Sequence, residues 1–168
     1  MDFKNIFIVG SMGSGKTSIG KILAKNNHLS FLDTDHEIIR RCGYSIPDIF
    51  EKFGEEYFRE LETEQLKEMC GMKDHVVSTG GGIILQKQNI ELIKDLGIII
   101  FLDISINSQI DRVKNRKNRP LINDNNLKDN LLSLKKIRDP IYKKISNYII
   151  DVSEKERNQI VTEIQEII

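Results

Sequence analysis

The sequence predicts a three-layer α/β/α fold, in which a five-stranded parallel sheet lies between two layers of helices. Five short β-prone runs alternate with helical patterns along the 168 residues. Such alternation is typical of βαβ units and of a parallel sheet. The composition, with 39% hydrophobic and 30% charged residues, is that of a globular protein. We therefore expect one domain spanning residues 1–168.

The regular elements follow one another in a clear order. We expect strands over residues 6–9, 30–32, 75–78, 98–102 and 148–150. The first helix presents Ile19, Ile22 and Leu23 at core spacing. An apolar stripe that ends at Gly97 predicts a helix with glycine at its C′ position. Residues 153–156 read Ser-Glu-Lys-Glu, a capping box that opens the last helix. That helix is expected to bury Ile160, Ile164, Ile167 and Ile168.

Two longer stretches interrupt this alternation. Residues 33–74 exceed what one crossover helix needs, so they predict a helical insert. Within it, Ser45-Ile46-Pro47 predicts a helix start and Gly54 predicts a break. Residues 112–126 are rich in Lys, Arg, Asn and Asp and contain few apolar side chains. This composition predicts a mobile lid rather than a core element.

Residues 10–17 carry the clearest motif, Gly-Ser-Met-Gly-Ser-Gly-Lys-Thr, between the first strand and the first helix. Glycines at these positions let backbone N–H groups approach phosphate oxygens, and the helix N-terminus adds partial positive charge. Lys16 would supply a full charge to the β- and γ-phosphates, and the Thr17 hydroxyl would ligate Mg²⁺. The motif predicts nucleoside triphosphate binding by Gly13, Ser14, Gly15, Lys16, Thr17 and Ser18.

Polar residues follow the second and third strands, whose carboxyl ends should meet at one edge of the sheet. Asp33 is placed to hold Mg²⁺ through water, and Asp35 to accept a hydrogen bond from a hydroxyl group. The alternative is an Asx turn that caps the next helix. After the third strand, Gly80–Gly82 would bring backbone N–H groups close to a small substrate, while Ser78 and Thr79 orient metal-bound water. A plain turn is the alternative there.

Three arginines stand out but are ambiguous alone. Arg59 is expected on the polar side of its helix, where an arginine is usually solvated. Arg138 precedes Pro140, which is expected to break or kink a helix. Arg119 belongs to a basic cluster in the predicted lid. That cluster lacks interleaved aromatic residues, and the whole chain carries 25 basic and 25 acidic residues, so we expect no nucleic-acid binding.

Further features of the sequence indicate where in the cell the protein is located. No apolar stretch approaches the length of a membrane span, and the first strand begins within a few residues of Met1. We therefore expect no signal peptide, no membrane contact and a cytoplasmic location. Cys42 and Cys70 have no partner at metal-ligand spacing, so both are expected to be reduced thiols.

Taken together, these motifs resemble the shikimate kinase family of small phosphate-loop kinases from end to end. The resemblance rests on residues 10–17, Phe31-Leu32-Asp33-Thr34-Asp35, the helix with Gly54-Glu55, Phe58-Arg59 and Glu62, Ser78-Thr79-Gly80-Gly81-Gly82, Arg119-Pro120-Leu121 and Arg138-Asp139-Pro140-Ile141-Tyr142. It implies transfer of the ATP γ-phosphoryl group to the 3-hydroxyl of shikimate, with Mg²⁺, in aromatic amino-acid biosynthesis. A monomer is the family-based expectation.

The resemblance also implies roles for individual residues. Asp35 would bind the shikimate hydroxyls and is the best candidate base. Arg59, Arg138 and the backbone of Gly80–Gly82 would hold the shikimate carboxylate, which agrees with the planar geometry of guanidinium groups. Charge on the transferring phosphoryl group would be stabilised by Lys16 and Arg119, Mg²⁺ would be held by Thr17 and Asp33, and adenine would contact Arg112 or Arg116.

Three other functions are alternatives. The nearest is another small-metabolite or nucleoside monophosphate kinase of the same architecture, such as a gluconate kinase. Asp33-Thr34-Asp35 together with Gly80–Gly82 and Arg138 argues against it, since a neutral polyol or a nucleotide would not need that carboxylate clamp. A GTP-binding switch would need an Asn-Lys-x-Asp motif, which the sequence lacks. A nucleotide sensor without catalysis would be distinguished by ADP release in the presence and absence of shikimate.

Overall fold

The computed structural model describes residues 5–114 and 126–168, and in them the predicted parallel sheet is confirmed. Its strands are β1 Asn5–Val9, β2 Ser30–Asp33, β3 His75–Ser78, β4 Gly97–Asp103 and β5 Tyr148–Asp151. They lie in the order β2-β3-β1-β4-β5, and every neighbouring pair is parallel. The helices are α1 Lys16–Asn26, α2 Thr34–Cys42, α3 Ile46–Glu68, α4 Lys87–Leu96, α5 Ile106–Lys114, α6 Leu127–Ile145 and α7 Arg157–Ile167, with a 3₁₀-helix at Ile83–Leu85.

The central strand β1 is buried on both faces, because side chains alternate across a strand. Ile6 and Ile8 join one core, to which α1 and α7 contribute. Phe7 and Val9 join a second core with residues of α3, α4 and α6. These four side chains are 0–1% exposed, and burial of each contributes about 1.5–3 kcal/mol. The predicted three layers are therefore confirmed.

The strand register places the functional motifs at one edge of the sheet. Ser78 lies beside Ile8 of β1 on one side and beside Asp33 of β2 on the other. The segments that follow these three strands therefore leave the sheet at the same level. Ligands of open parallel sheets bind at this carboxyl edge.

Helices α2 and α3 lie within the predicted insert. Ser45 caps α3, accepting from the Asp48 amide at 3.3 Å, as its sequence predicts. Gly54 has a non-helical backbone with a φ of 85°, so it divides α3 into two helical segments, as predicted. Ile38, Ile49 and Phe58 form a small core that holds the two helices together.

Two predicted helix ends are corrected. Gly97 follows α4 as expected, but its φ of −176° is extended and not left-handed. Glycine is required because a Cβ there would lie 2.1 Å from the Asn5 carbonyl oxygen of the adjacent strand. The predicted capping box is also wrong, because the Ser153 hydroxyl donates to Asp151 and α7 begins four residues beyond it, at Arg157, with Glu156 as N-cap. Ile160 and Ile164 are buried as predicted, Ile167 is partly buried, and Ile168 is 37% exposed.

Of the two effects predicted for Pro140, a break or a kink, the break is not found. Helix α6 passes through this proline from Leu127 to Ile145. A proline removes one N–H donor and disfavours the preceding turn. Tyr142 and Ile145 are buried in the core, so tertiary packing keeps the chain helical beyond it.

The predicted lid at 112–126 falls only partly within the described residues. Residues 112–114 are the end of α5, and Asn126 is the N-cap of α6. Residues 115–125, with Arg116 and Arg119, lie outside the described part, so the lid stays a prediction. In residues 5–114 and 126–168, none of the helices has the length and apolar character needed to cross a membrane.

Candidate active site

The loop of residues 10–17 has the backbone that a phosphate cradle needs. Gly10, Gly13 and Gly15 have φ angles of 147°, 82° and 94°, a region that favours glycine. Helix α1 begins at Lys16, directly after the loop. The Lys16 ammonium group donates to the carbonyl oxygens of Gly10 at 2.8 Å and Ser11 at 3.1 Å. A cation and a helix N-terminus therefore converge on the loop.

Side-chain oxygen atoms from α1, β2 and β3 lie close together. Thr17 Oγ1 donates to Asp33 Oδ2 at 2.8 Å and lies 3.4 Å from Ser78 Oγ. The second oxygen of Asp33 accepts from the His36 amide at 3.3 Å, so Asp33 also caps α2. The helix cap that was the alternative interpretation of Asp33 is therefore found, while its role toward Mg²⁺ stays a prediction. Hard cations such as Mg²⁺ prefer oxygen ligands of this kind.

The first glycine after β3 makes room for two carboxyl groups. A Cβ on Gly80 would lie 2.5 Å from Asp35 Oδ1 and 2.9 Å from Glu62 Oε1. Any side chain at this position would therefore displace one of them. The Gly80 amide donates to Thr34 Oγ1 at 3.0 Å. Because the Gly80 N–H already donates to Thr34, the predicted backbone contacts to a substrate would be made by Gly81 and Gly82.

The next two glycines approach the two predicted arginines. A Cβ on Gly82 would lie 2.5 Å from both terminal nitrogens of Arg59. A Cβ on Gly81 would lie 3.3 Å from Nη1 of Arg138. Side chains from α2, α3 and α6 thus lie close to the glycine triplet at the edge of the sheet. A plain turn would not require glycine at each position.

Tyr142 fixes the glycine turn from the α6 side. Its hydroxyl donates to the Gly81 carbonyl oxygen at 2.5 Å, and its ring stacks on Phe101 with centroids 4.9 Å apart. The side chain is fully buried, and burial raises the pKa of its hydroxyl. Tyr142 therefore stays a neutral donor that ties the turn to the core.

The prediction that Arg59 lies on the exposed side of its helix is wrong. Arg59 is 8% exposed, and two glutamates of α3 neutralise it. Nη1 donates to Glu62 Oε2 at 2.5 Å, while Nη2 and Nε donate to Glu55 Oε1 at 2.9 and 3.3 Å. Burial opposes the positive charge, but these two partners outweigh it and hold the pKa of Arg59 above its usual value.

Glu62, one of the two glutamates that are paired with Arg59, is fully buried. Burial raises its pKa to about 7, against the opposing effect of Arg59, and the nearby charge of Asp35 adds to the rise. Its second oxygen, Oε1, has no hydrogen-bond partner among the described residues. A carboxyl group that titrates near neutrality therefore stands between Arg59 and Asp35.

A cavity of about 220 Å³ joins the phosphate loop to the predicted acceptor side. Its walls include the loop, both aspartates, the end of β3 and α6. The residues are Met12, Gly13, Gly15, Lys16, Thr17, Asp33, Asp35, Ser78, Thr79, Gly81 and Arg138. A phosphate donor and a hydroxyl acceptor can therefore meet in one enclosed space.

A second cavity, of about 510 Å³, lies on the other side of the phosphate loop. It shares Gly13 and Gly15 with the first cavity and is also lined by Ser14, Ser18 and Arg112. The Arg112 guanidinium donates to the carbonyl oxygens of Val152 at 2.5 Å and Ser153 at 3.3 Å. Arg112 is thus held beside the loop, where the predicted adenine contact would be.

The structure places eight of the predicted site residues in the wall of the smaller cavity: Gly13, Gly15, Lys16, Thr17, Asp33, Asp35, Gly81 and Arg138. Ser14, Ser18 and Arg112 line the larger cavity instead. Arg59 lies outside the wall of the smaller cavity and lines a separate depression with Glu60 and Gln88. Arg119 is outside the described residues. Sequence reasoning assigned no role to Glu55 or Glu62. Their spacing of four residues before Arg59 and three after it was the available signal, because such residues share one helix face.

The sheet order, the glycine loop and the adjoining acceptor cavity define a phosphate-loop kinase. The shikimate kinase family model matches residues 12–168. A shikimate kinase from Thioalkalivibrio sulfidiphilus is 41% identical over 160 residues, which cover 95% of this chain and 84% of the relative. The chain therefore belongs to the shikimate kinase family.

Solved structures agree with this assignment. A shikimate kinase from Acinetobacter baumannii in complex with shikimate has a TM-score of 0.91 at 41% identity, covering 98% of this chain and 92% of that one. A shikimate kinase from Aquifex aeolicus has a TM-score of 0.84 at 37% identity, covering 96% and 94%. The fold and the family are thus supported independently.

Proposed function

We propose that this protein transfers the γ-phosphoryl group of ATP to the 3-hydroxyl of shikimate. The observation that carries the proposal is the cavity in which Lys16 and Thr17 of the phosphate loop share walls with Asp35 and Arg138. One end suits a triphosphate and the other suits a polyhydroxylated carboxylate. Family membership and the relative solved with bound shikimate support the same substrate.

Phosphoryl transfer requires mainly positioning and charge stabilisation. Lys16 would exchange the carbonyl oxygens of Gly10 and Ser11 for phosphate oxygens. Asp35 would accept a hydrogen bond from the attacking hydroxyl and take up its proton. Arg138, joined by Arg59, would bind the shikimate carboxylate, since each charged hydrogen bond contributes roughly 1.5–3 kcal/mol.

Thr17 and Asp33, with Ser78 behind them, form an oxygen cluster that fits Mg²⁺. Mg²⁺ held by Thr17, and through water by Asp33, would neutralise charge on the β- and γ-phosphate oxygens. Ser14 and Ser18 would contact the phosphates from the loop, and Arg112 would contact adenine in the larger cavity. Arg119 would act from the predicted lid, as the family resemblance implies.

Replacement of Asp35 tests the acceptor end of this proposal. Asp35→Asn keeps the shape of the side chain but removes its charge and basicity. If Asp35 takes up the proton, kcat should fall by about 10²–10⁴-fold while ATP binding is preserved, as measured by steady-state kinetics. A matched control is Asp95→Asn, which removes an exposed carboxylate on α4. Unchanged kcat and unchanged KM for shikimate in Asp35→Asn would contradict the assignment.

A further inference from the structure

Arg59 is held on two sides by carboxylates of its own helix, and the two partners differ sharply. The Glu62 side chain is 0% exposed, whereas that of Glu55 is 60% exposed. Glu62 Oε2 accepts from Nη1, and Glu55 Oε1 accepts from both Nη2 and Nε. The entire outer edge of the guanidinium is therefore occupied by Glu55.

That edge has the geometry by which a guanidinium binds a planar carboxylate with two parallel N–H donors. While Glu55 occupies it, a substrate carboxylate cannot use it. The positive charge of Arg59 is also balanced by its two neighbours before any substrate arrives. These ion pairs explain why an arginine that is 8% exposed is stable here. Arg59 does not line the cavity that contains Arg138.

Only one of the two partners can leave at low cost. Separation of Glu62 would leave a buried carboxylate without its cation, which is strongly destabilising. Glu55 would exchange an exposed ion pair for water, and such pairs contribute little. Glu55 also directly follows the kink at Gly54 and begins the second segment of α3, where the helix dipole favours a negative charge. A displaced Glu55 carboxylate therefore remains stabilised.

We propose that Glu55 acts as an internal competitor, which occupies Arg59 until the carboxylate of the substrate displaces it. The inference rests on the proposed role of Arg59 in binding shikimate. Contacts of the substrate hydroxyls with Asp35 would add to the binding energy that displaces Glu55. Because Glu55 competes with any carboxylate, it lowers the affinity of the empty site for shikimate and for simple carboxylates such as acetate alike.

Calorimetric titration of Glu55→Gln and Glu55→Ala with shikimate tests the competition. Both variants should bind shikimate more tightly than the wild type, by about two- to fivefold, the range that exposed ion pairs span. The affinity for shikimate methyl ester should not change, because the ester has no carboxylate to compete. Acetate should inhibit both variants at lower concentration than it inhibits the wild type. The matched control is Glu56→Gln, which removes the same charge from the adjacent exposed position.

Different outcomes would overturn the proposed function and the proposed competition by Glu55. If the wild type neither binds nor phosphorylates shikimate, the proposed function is wrong and the competition falls with it. If the wild type phosphorylates shikimate but both Glu55 variants bind it equally or more weakly, Glu55 is not a competitor. In that case Glu55 positions Arg59 for the substrate. If Glu56→Gln also binds shikimate more tightly than the wild type, the tighter binding comes from the loss of one negative charge in general. That result would also overturn the proposal.

Discussion

At the scale of single residues, the most unusual group is the carboxyl of Glu62. It is buried and lies beside Arg59 of its own helix, with Asp35 and Arg138 acting on it from α2 and α6. Its pKa of about 7 lies above the usual value of 4.5, chiefly because of burial. The folded protein therefore keeps a proton at pH values where the unfolded chain has lost it.

This shift predicts how stability depends on pH. Because the folded-state pKa is raised, the contribution of Glu62 is fully present below about pH 4.5 and is lost as the pH rises to about 7. Glu62→Gln cannot titrate, so the wild type should lose unfolding free energy relative to this variant over that interval. We expect a relative loss on the order of 1–3 kcal/mol. Urea denaturation of both proteins from pH 5 to pH 8 measures it.

The pKa shifts of three other groups affect the stability of the wild type and of Glu62→Gln equally. Asp48, Glu68 and Asp151 have lowered pKa values because of hydrogen bonds to Ser45, Arg41 and Ser153. Their contributions are present above their usual pKa values and are lost at lower pH, and they are common to both proteins. Parallel stability profiles of the wild type and Glu62→Gln would show that Glu62 is ionised throughout.

Lys16 provides a second test on a single residue. Its ammonium group is bonded to loop carbonyls, but backbone hydrogen bonds from Ser14 to Ser11 and from Ile19 to Gly15 also hold the loop, so Lys16→Met should leave its backbone in place. Loss of a group that stabilises charge on the phosphoryl group should lower kcat by about 10²–10³-fold or more. Steady-state kinetics and circular dichroism measure turnover and folding. Lys25→Met, an exposed change later in α1, is the control, and a folded Lys16→Met enzyme of normal turnover would refute the assignment.

At the scale of elements, the turn after β3 depends on three helices at once. Gly80–Gly82 meet carboxyl groups from α2 and α3 and guanidinium groups from α3 and α6. The sequence indicated that this turn is functional, because three successive glycines are unusual in a turn of ordinary length. It did not reveal that the space is filled by side chains of the site itself, since that depends on packing between distant segments.

A graded alanine series tests this packing. In Gly82→Ala the new methyl group would lie 2.5 Å from both terminal nitrogens of Arg59, whereas in Gly81→Ala it would lie 3.3 Å from Arg138. The KM for shikimate should rise by about 10–100-fold in Gly82→Ala, the range for one lost charged hydrogen bond, and by less in Gly81→Ala. The KM for ATP should change little in both. Equal KM values for shikimate in the two variants would contradict the proposed crowding.

Helix ends show where sequence reasoning fails in this protein. The start of α3 is local, because Ser45 and Asp48 satisfy each other, and it was predicted. The start of α7 is also local, because Glu156 and Gln159 form a capping box, but it was predicted at Ser153, whose hydroxyl instead accepts from the Ser105 amide on another segment. Gly97 is required by the neighbouring strand rather than by the helix it follows. Long-range neighbours of this kind leave no periodic signal in the sequence.

At the scale of the whole molecule, the parallel sheet and the phosphate loop were predictable because both have local signatures. Strand and helix patterns alternate, and the glycine loop occupies the turn between β1 and α1. Most residues proposed for the site follow a strand end, so the topology alone brings them to one edge. Arg59, Arg112 and Arg138 are exceptions, since they lie within helices, and the burial of Arg59 depends on ion pairs that periodicity does not reveal.

The central claim is that ATP and shikimate react in the cavity between Lys16 and Arg138. A coupled ADP-release assay on the purified protein with Mg²⁺ tests this claim most directly, with shikimate, shikimate methyl ester, gluconate or no acceptor. Rapid ADP release should occur with shikimate alone, because the ester lacks the charged carboxylate for Arg138, and the open chain of gluconate does not hold its carboxylate and hydroxyls in the fixed arrangement that reaches both Arg138 and Asp35. ADP release at the same rate without acceptor, or with gluconate in place of shikimate, would contradict the account.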